Sequence, residues 1–179
     1  MQLATIQTAT GREDLLRQYL NTITEPGLIA EVFIPRREVL IRLQGRWVRR
    51  EESLMPGYLF VDTADAAALY QELKRIPMFT KLLGDRELTY QTLTPAEEDF
   101  IRRIGAERGD HTFGVSQVRI DSGQPYQKGD HVTIVSGDLK DFAGEIVGFD
   151  LHKRKAMVRS ALFGGSIIHV GIEILRKED

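Results

Sequence analysis

The side chains with chemistry to offer in this chain are cationic and aromatic. Arg36, Arg37, Arg42, Arg46, Arg49 and Arg50 crowd one short stretch, and His152-Lys153-Arg154-Lys155 forms a second cluster followed by Arg159. Guanidinium and ammonium groups in such runs suit the phosphates of a nucleic-acid backbone, where each contact releases counterions. Lys128 and Lys140 sit near other strand ends and join the second cluster as candidate phosphate contacts. The arginine run is interrupted by Glu38 and followed by Glu51 and Glu52, so it reads equally as a solvated hairpin balanced by its own acids. Trp47, inside that run, suits either base stacking or packing. A third feature is aromatic. In Leu54-Met55-Pro56-Gly57-Tyr58-Leu59-Phe60-Val61 the proline fixes one backbone angle, the glycine frees the next, and Tyr58 is set at the mouth of an apolar strand. Tyr58 reads as one more core aromatic or as a rigidly mounted anchor for a protein partner.

Catalytic arrangements are missing from the pattern. His111, His131, His152 and His169 are scattered, with no pair at i, i+4 and no cysteine in the chain to complete a zinc site. No GxxxxGK[ST], GxGxxG or GxSxG run is present. Glu97-Glu98-Asp99 falls where a helix start collects carboxylates for electrostatic reasons. A protein without cofactor, metal or enzymatic activity is expected. The 179 residues, 42% hydrophobic, allow one domain or two small ones, and a net charge of -2 confines any nucleic-acid binding to a local basic face. No apolar run approaches the roughly 18 to 20 residues of a membrane span, and the first residues lack a signal peptide's pattern. A monomeric cytoplasmic protein is the expectation.

These groups need elements to hold them. A strand over 3–8 is followed by a helix carrying Leu15, Leu16, Tyr19, Leu20 and Ile23 on one stripe, ended by Pro26-Gly27. Extended segments follow at Ile29 to Ile34, Glu38 to Leu43 and Arg46 to Arg50, the last two joined at Gln44-Gly45, and then a strand at Gly57 to Asp62. A second helix over Ala64 to Arg75 turns Ala66, Leu69, Tyr70 and Leu73 inward before Pro77. A third opens on a capping box at Thr94-Pro95-Ala96-Glu97, with Phe100, Ile101 and Ile104 apolar. Periodicity then fades, with Val118 and Ile120 hinting at a short strand. Beyond it, runs alternate at His131 to Val135, Glu145 to Phe149, Ala156 to Ser160, Ile167 to Val170 and Ile172 to Leu175. The expected architecture is an α+β domain over 1–108 with an antiparallel sheet and three helices, a linker over 109–124, and a small five-stranded β-barrel over 125–179, closed to remove its edges.

In this order the motifs resemble the NusG family of transcription elongation factors. Thr10-Gly11-Arg12-Glu13, Leu54-Met55-Pro56-Gly57-Tyr58 and Arg75-Ile76-Pro77 resemble its N-terminal (NGN) domain. Lys128-Gly129-Asp130-His131-Val132, Ser136-Gly137, Asp141-Phe142-Ala143-Gly144 and Leu162-Phe163-Gly164 resemble its KOW domain, which is SH3-like. The resemblance implies docking on the clamp helices of RNA polymerase, with Leu54, Met55 and Tyr58 lining the apolar pocket. It also implies a contact with upstream DNA, for which Arg46, Arg49 and Arg75 are the candidates. Phe142 matches the aromatic that meets a ribosomal protein or termination factor in housekeeping members. Leu3-Ala4 replaces the usual Trp-Tyr, and Arg75-Ile76 replaces an Asn-Thr pair that reads non-template DNA, so sequence-specific pausing is not expected. Gly137-Asp138-Leu139 and the ending in Gly165 depart from the housekeeping pattern. With His152-Lys153-Arg154-Lys155 they look like the antiterminator branch, LoaP. That resemblance implies recognition of a nascent RNA hairpin through Lys128, Lys140, His152, Lys153, Arg154, Lys155 and Arg159. Two other functions fit the pattern: a housekeeping factor whose barrel binds a ribosomal or termination protein, and a ribosome-associated RNA-binding protein sharing only the KOW barrel.

Overall fold

The structure is a computed structural model, and it describes residues 1–23, 25–75, 90–121, 129–162 and 164–175. Pro77, Lys128 and Phe163, singled out above, lie outside the described residues, as does Ile76. The chain folds into two compact units, Met1–Pro35 with Met55–Asp99, and Arg36–Leu54 with Phe100–Asp179. These boundaries differ from the expected division at 109–124, because Arg36–Leu54 groups with the later residues.

The first unit is built on a four-stranded sheet of order β2-β5-β1-β6, from β1 (Gln2–Gln7), β2 (Ile29–Phe33), β5 (Tyr58–Thr63) and β6 (Tyr90–Thr92). β1 and β5 are central and antiparallel, pairing Gln7 with Tyr58 and Gln2 with Thr63. Leu3, Ala4 and Ile6 on β1 and Leu59, Phe60 and Val61 on β5 are fully buried, as continuous apolar runs at the centre of a sheet require. Phe33 stacks on Phe60 at 5.8 Å between ring centroids. Helices α1 (Glu13–Leu20) and α2 (Ala66–Lys74) bury Leu16, Leu20, Leu69 and Leu73 in one core with Ile6, Leu28, Ile34, Leu59 and Val61. Leu15, expected on the buried stripe of α1, is instead 42% exposed, while Tyr19 and Ile23 pack at the margin of the core. An eight-residue helix turns only a narrow stripe inward, and Leu15 falls beside it. Tyr70 is half-buried, its ring 4.2 Å from the Lys74 ammonium. Asp65 caps α2 by accepting from the Ala68 N–H at 3.0 Å. Helix α3 (Pro95–Arg103) starts with the expected capping box: the Glu97 N–H donates to Thr94 Oγ1 and the Thr94 N–H donates to Glu97 Oε2 at 2.8 Å.

The second unit holds the arginine hairpin, β3 (Arg36–Leu43) and β4 (Arg46–Ser53), joined at Gln44-Gly45 where both residues have positive φ, as a tight two-residue hairpin requires. The short β7 (Thr112–Phe113) pairs in parallel with β3. A five-stranded curled sheet of order β10-β11-β12-β8-β9 completes the unit, from β8 (Ser116–Ile120), β9 (Val132–Ser136), β10 (Ile146–Asp150), β11 (Lys155–Arg159) and β12 (Ile167–Ile174). Three strands match the expected ones closely, and two expectations are corrected. The stretch expected as a linker supplies β7 and β8: its alternation was masked because an inward position is Ser116, fully buried and accepting from the Leu139 N–H at 3.0 Å. The two expected strands at Ile167 to Val170 and Ile172 to Leu175 are one, β12, running through Gly171. Among the described residues this sheet is curled, with β9 and β10 at its edges and a 3-10 stretch at Asp138–Glu145 connecting them.

Gly171 reads as a break in sequence but marks a close approach. A Cβ there would stand 2.9 Å from the Glu38 carbonyl oxygen and 3.1 Å from Val39 Cα, so β3 lies against β12 at van der Waals limit. Those neighbours are backbone and cannot swing aside. Gly171→Ala is therefore expected to cost about 1–3 kcal/mol, read as a lowered urea midpoint with an unchanged m-value. An unchanged midpoint would show that β3 does not pack on β12 in solution.

Candidate binding surfaces

Tyr58 follows a turn whose parts come from three segments. The Tyr58 N–H donates to the Met55 carbonyl at 3.1 Å, Gly57 takes φ +85, and its carbonyl accepts from the Thr8 N–H at 2.7 Å. Glu13, only 8% exposed, sits at the start of α1 and fastens the turn from below. Its Oε1 accepts from the Gly57 N–H at 2.6 Å and its Oε2 from the Gly11 N–H at 2.7 Å. One carboxylate thus joins the Thr10-Gly11-Arg12-Glu13 motif to the Pro56-Gly57-Tyr58 motif. Both motifs are legible in the sequence but their link is not; an acid three residues after a turn threonine is the available signal. Tyr58 is half-buried and keeps part of its surface, whereas Leu54 and Met55 are 4% and 6% exposed and present almost none.

The hairpin arginines are largely paired. Arg36 meets Glu51 at 3.4 Å, Arg37 meets Glu52 at 2.9 Å, Arg50 meets Glu52 at 3.0 Å and Arg49 meets Glu173 at 3.6 Å. This is the balanced hairpin that the neighbouring acids foretold, and exposed pairs of this kind add little stability. Arg46 is exposed; Arg75, also exposed, is engaged by Glu72 at 2.8 Å.

The basic turn between β10 and β11 is ordered by its own polar groups. Asp150 Oδ1 accepts from the Lys153 N–H at 3.1 Å, and Arg154 takes φ +54 while its carbonyl accepts from the Ile172 N–H at 3.0 Å. That backbone sends Arg154 to Trp47: its guanidinium lies 5.5 Å from the ring centroid, with Arg42 at 6.0 Å. Arg154 is thus a packing partner of the hairpin, and the arginine run and the basic turn, read separately in sequence, meet at Trp47. Lys153 stays 74% exposed, 4.0 Å from Asp150. On β11, Ala156 and Val158 are buried, so Lys155, Met157 and Arg159 share the outer face. Arg159 Nη1 donates to the Gly165 carbonyl at 3.2 Å; Lys140 and His152 are exposed. His169 is held below the usual histidine range, first by burial and then by Lys155 and Arg37, with Asp150 opposing.

Phe142 is fully buried. Its ring meets Phe100 edge-on at 5.2 Å and Phe113 at 4.7 Å, and the Arg103 guanidinium covers it at 4.5 Å. Arg103 is itself fixed by the Asp141 carbonyl and the Glu145 carboxylate. A role for Phe142 as a surface contact for a protein has no exposed ring to use in this arrangement. Beside it, Arg108 grips Asp138 with both terminal nitrogens at 3.0 and 2.8 Å and donates from Nε to Asp110 at 2.9 Å. Those bonds, from Asp138 first, raise the already high pKa of its guanidinium.

Among the described residues, no helix is long and apolar enough to cross a membrane. A mixed α/β unit carrying an aromatic turn, with a curled β sheet after it, is a NusG-like fold: a solved structure described as "Domain interaction in Thermotoga maritima NusG" matches with a TM-score of 0.53 at 21% identity, covering 95% of this chain and 92% of that one. The family model described as "Transcription termination factor nusG" matches residues 4–104, and the chain belongs to the NusG family of transcription termination/antitermination factors. Members of this family are transcription factors, not enzymes. Similar proteins include the transcription termination/antitermination protein NusG of Helicobacter pylori, 21% identical over 178 residues and covering 97% of this chain and 94% of that protein. The protein of that name from Thermus thermophilus is 27% identical over 169 residues, covering 89% and 88%.

Proposed function

We propose that this chain is an antiterminator of the LoaP kind, which rides on RNA polymerase and is directed to its transcripts by a nascent RNA hairpin. Tyr58, on its fastened turn, is the anchor against the polymerase clamp helices. Lys153, Lys155 and Arg159 are the hairpin contacts, with Lys140 and His152 beside them, and Arg46 is a contact for upstream DNA. The observation that carries the RNA reading is the common outer face of Lys155 and Arg159 next to exposed Lys153: three cations on one strand and its turn, where a phosphate backbone can run. Family membership supports polymerase as the partner. The burial of Phe142 weighs against the housekeeping reading, in which that ring would meet a ribosomal or termination protein.

The test is read-through of an intrinsic terminator downstream of a candidate leader hairpin, with wild type, Tyr58→Ala, and the triple variant Lys153→Ala/Lys155→Ala/Arg159→Ala. Read-through is expected from wild type alone. Tyr58→Ala is expected to lose polymerase binding with its thermal unfolding unchanged. The triple variant is expected to keep polymerase binding but lose hairpin binding and the steep salt dependence of that affinity. Equal read-through by all three proteins would remove both assignments.

A further inference from the structure

A cleft of about 590 Å³ opens beside the basic turn, among Val132, Gly148, Phe149, Asp150, Met157 and His169. Its floor follows from sheet register. Gly148 on β10, Met157 on β11 and His169 on β12 stand in one row across the outer face, and Asp150 and Lys155 stand paired in the next. Gly148 is where a β-bulge shifts the register, and with no side chain it makes room for the Met157 methyl, which would stand 3.0 Å from a Cβ there. Phe149, Met157 and Val132 supply apolar walls, and the volume is in the range of about 300–1,000 Å³ that takes a small organic group. The polar groups are few. Asp150 is an acceptor whose carboxylate has about four lone-pair sites, of which the Lys153 N–H uses one. Burial first, then Lys155 and Arg37, lower the His169 pKa, with Asp150 opposing and Lys153 adding to the shift, and Asp130 and Asp150 lie within the cleft.

We propose that this cleft takes one unpaired nucleobase of the bound RNA, and that Asp150 selects a base bearing an exocyclic amine, adenine, cytosine or guanine, over uracil. The proposal rests on the RNA-binding reading above and adds to it the residues that make the binding selective. The base lies against the Met157 thioether beside Gly148, its amine donates to the Asp150 carboxylate, and its flanking phosphates meet Lys153 and Lys155. Apolar contact with the base face is sequence-tolerant, whereas uracil offers an acceptor-only carboxylate a single imino N–H flanked by two carbonyl oxygens that repel it. The carboxylates, a liability beside phosphates, thus gain a role as readers of a base edge.

The full-length protein would be titrated with an octamer of uridine and with the same octamer carrying a single central adenosine, cytidine or guanosine. Wild type is expected to prefer each substituted octamer about tenfold over the uridine octamer. Gly148→Val, which crowds the cleft, is expected to erase that preference and leave only the salt-sensitive binding common to all four octamers. Asp150→Asn retains the turn acceptor for Lys153 but adds a donor, and is expected to bring uridine level with the others. Circular dichroism and thermal unfolding would verify that each variant is folded. Salt-sensitive binding of all four octamers with equal affinity, or a preference that survives both substitutions, would overturn the base pocket and leave the RNA reading in place. No binding to any octamer or to the leader hairpin would overturn both.

Discussion

Replacing Phe142 with alanine is expected to cost about 3–5 kcal/mol, a large part of the roughly 5–15 kcal/mol that holds an ordinary domain together. The ring is fully buried between Phe100 and Phe113, with Arg103 over its face. Truncation removes the transfer free energy of the ring and opens a cavity that two other rings cannot fill by rotating. It also leaves the Arg103 guanidinium above a void, though its bonds to the Asp141 carbonyl and Glu145 persist. Phe142→Leu keeps most of the volume and loses the aromatic edge contacts and the cation over the ring, so about 1–2 kcal/mol is expected for it. Urea unfolding followed by circular dichroism would measure both. A loss below about 1 kcal/mol for the alanine variant would mean that the ring is exposed in solution. It would also revive the reading in which Phe142 greets a protein partner.

Glu13→Ala carries the second large effect, an expected loss of about 2–5 kcal/mol. Two backbone N–H groups, of Gly11 and Gly57, donate to this one carboxylate: the buried Gly57 N–H left without an acceptor costs about 1–3 kcal/mol, and loss of the part-buried Gly11 bond adds about 1–2 kcal/mol. The consequence extends from stability to binding. Tyr58 follows the turn that Glu13 fastens, so the variant is expected to bind polymerase more weakly even at temperatures where it is folded. Glu13→Gln separates the two contributions: its single carbonyl oxygen can serve one N–H, while its amide nitrogen brings a donor toward the other. An intermediate stability loss is expected for it. Polymerase binding by Glu13→Ala equal to wild type, with the protein shown to be folded, would dissociate the turn from the anchor.

Much of the first unit was legible because its signals are local. The capping box at Thr94 and Glu97 and the doubly buried run Leu59-Phe60-Val61 each follow from residues within a few positions of one another, as does the positive-φ turn at Gln44-Gly45 in the second unit. The second unit was harder for reasons visible in single residues. Ser116 occupies a core position and satisfies its hydroxyl on Leu139, so β8 looked like linker. Gly171 serves a close contact with β3, so one strand looked like two. Leu54 and Met55 are core residues, although the motif they belong to set them beside Tyr58 as surface.

By itself the sequence determined the elements, the family motifs and the types of group available for binding: an aromatic on a stiff turn, and cations enough to meet phosphate. These depend on backbone preferences and periodicity, which act over short stretches of chain. Only the tertiary structure decided which of those groups are spent internally. Arg154 is turned onto Trp47, Phe142 is enclosed by Phe100 and Phe113, and Glu13 is committed to Gly11 and Gly57, while Lys153, Lys155 and Arg159 keep outward positions. The reason is physical. Whether a charge or a ring faces solvent depends on partners far away in sequence, and those partners exist only once the strands have found their register.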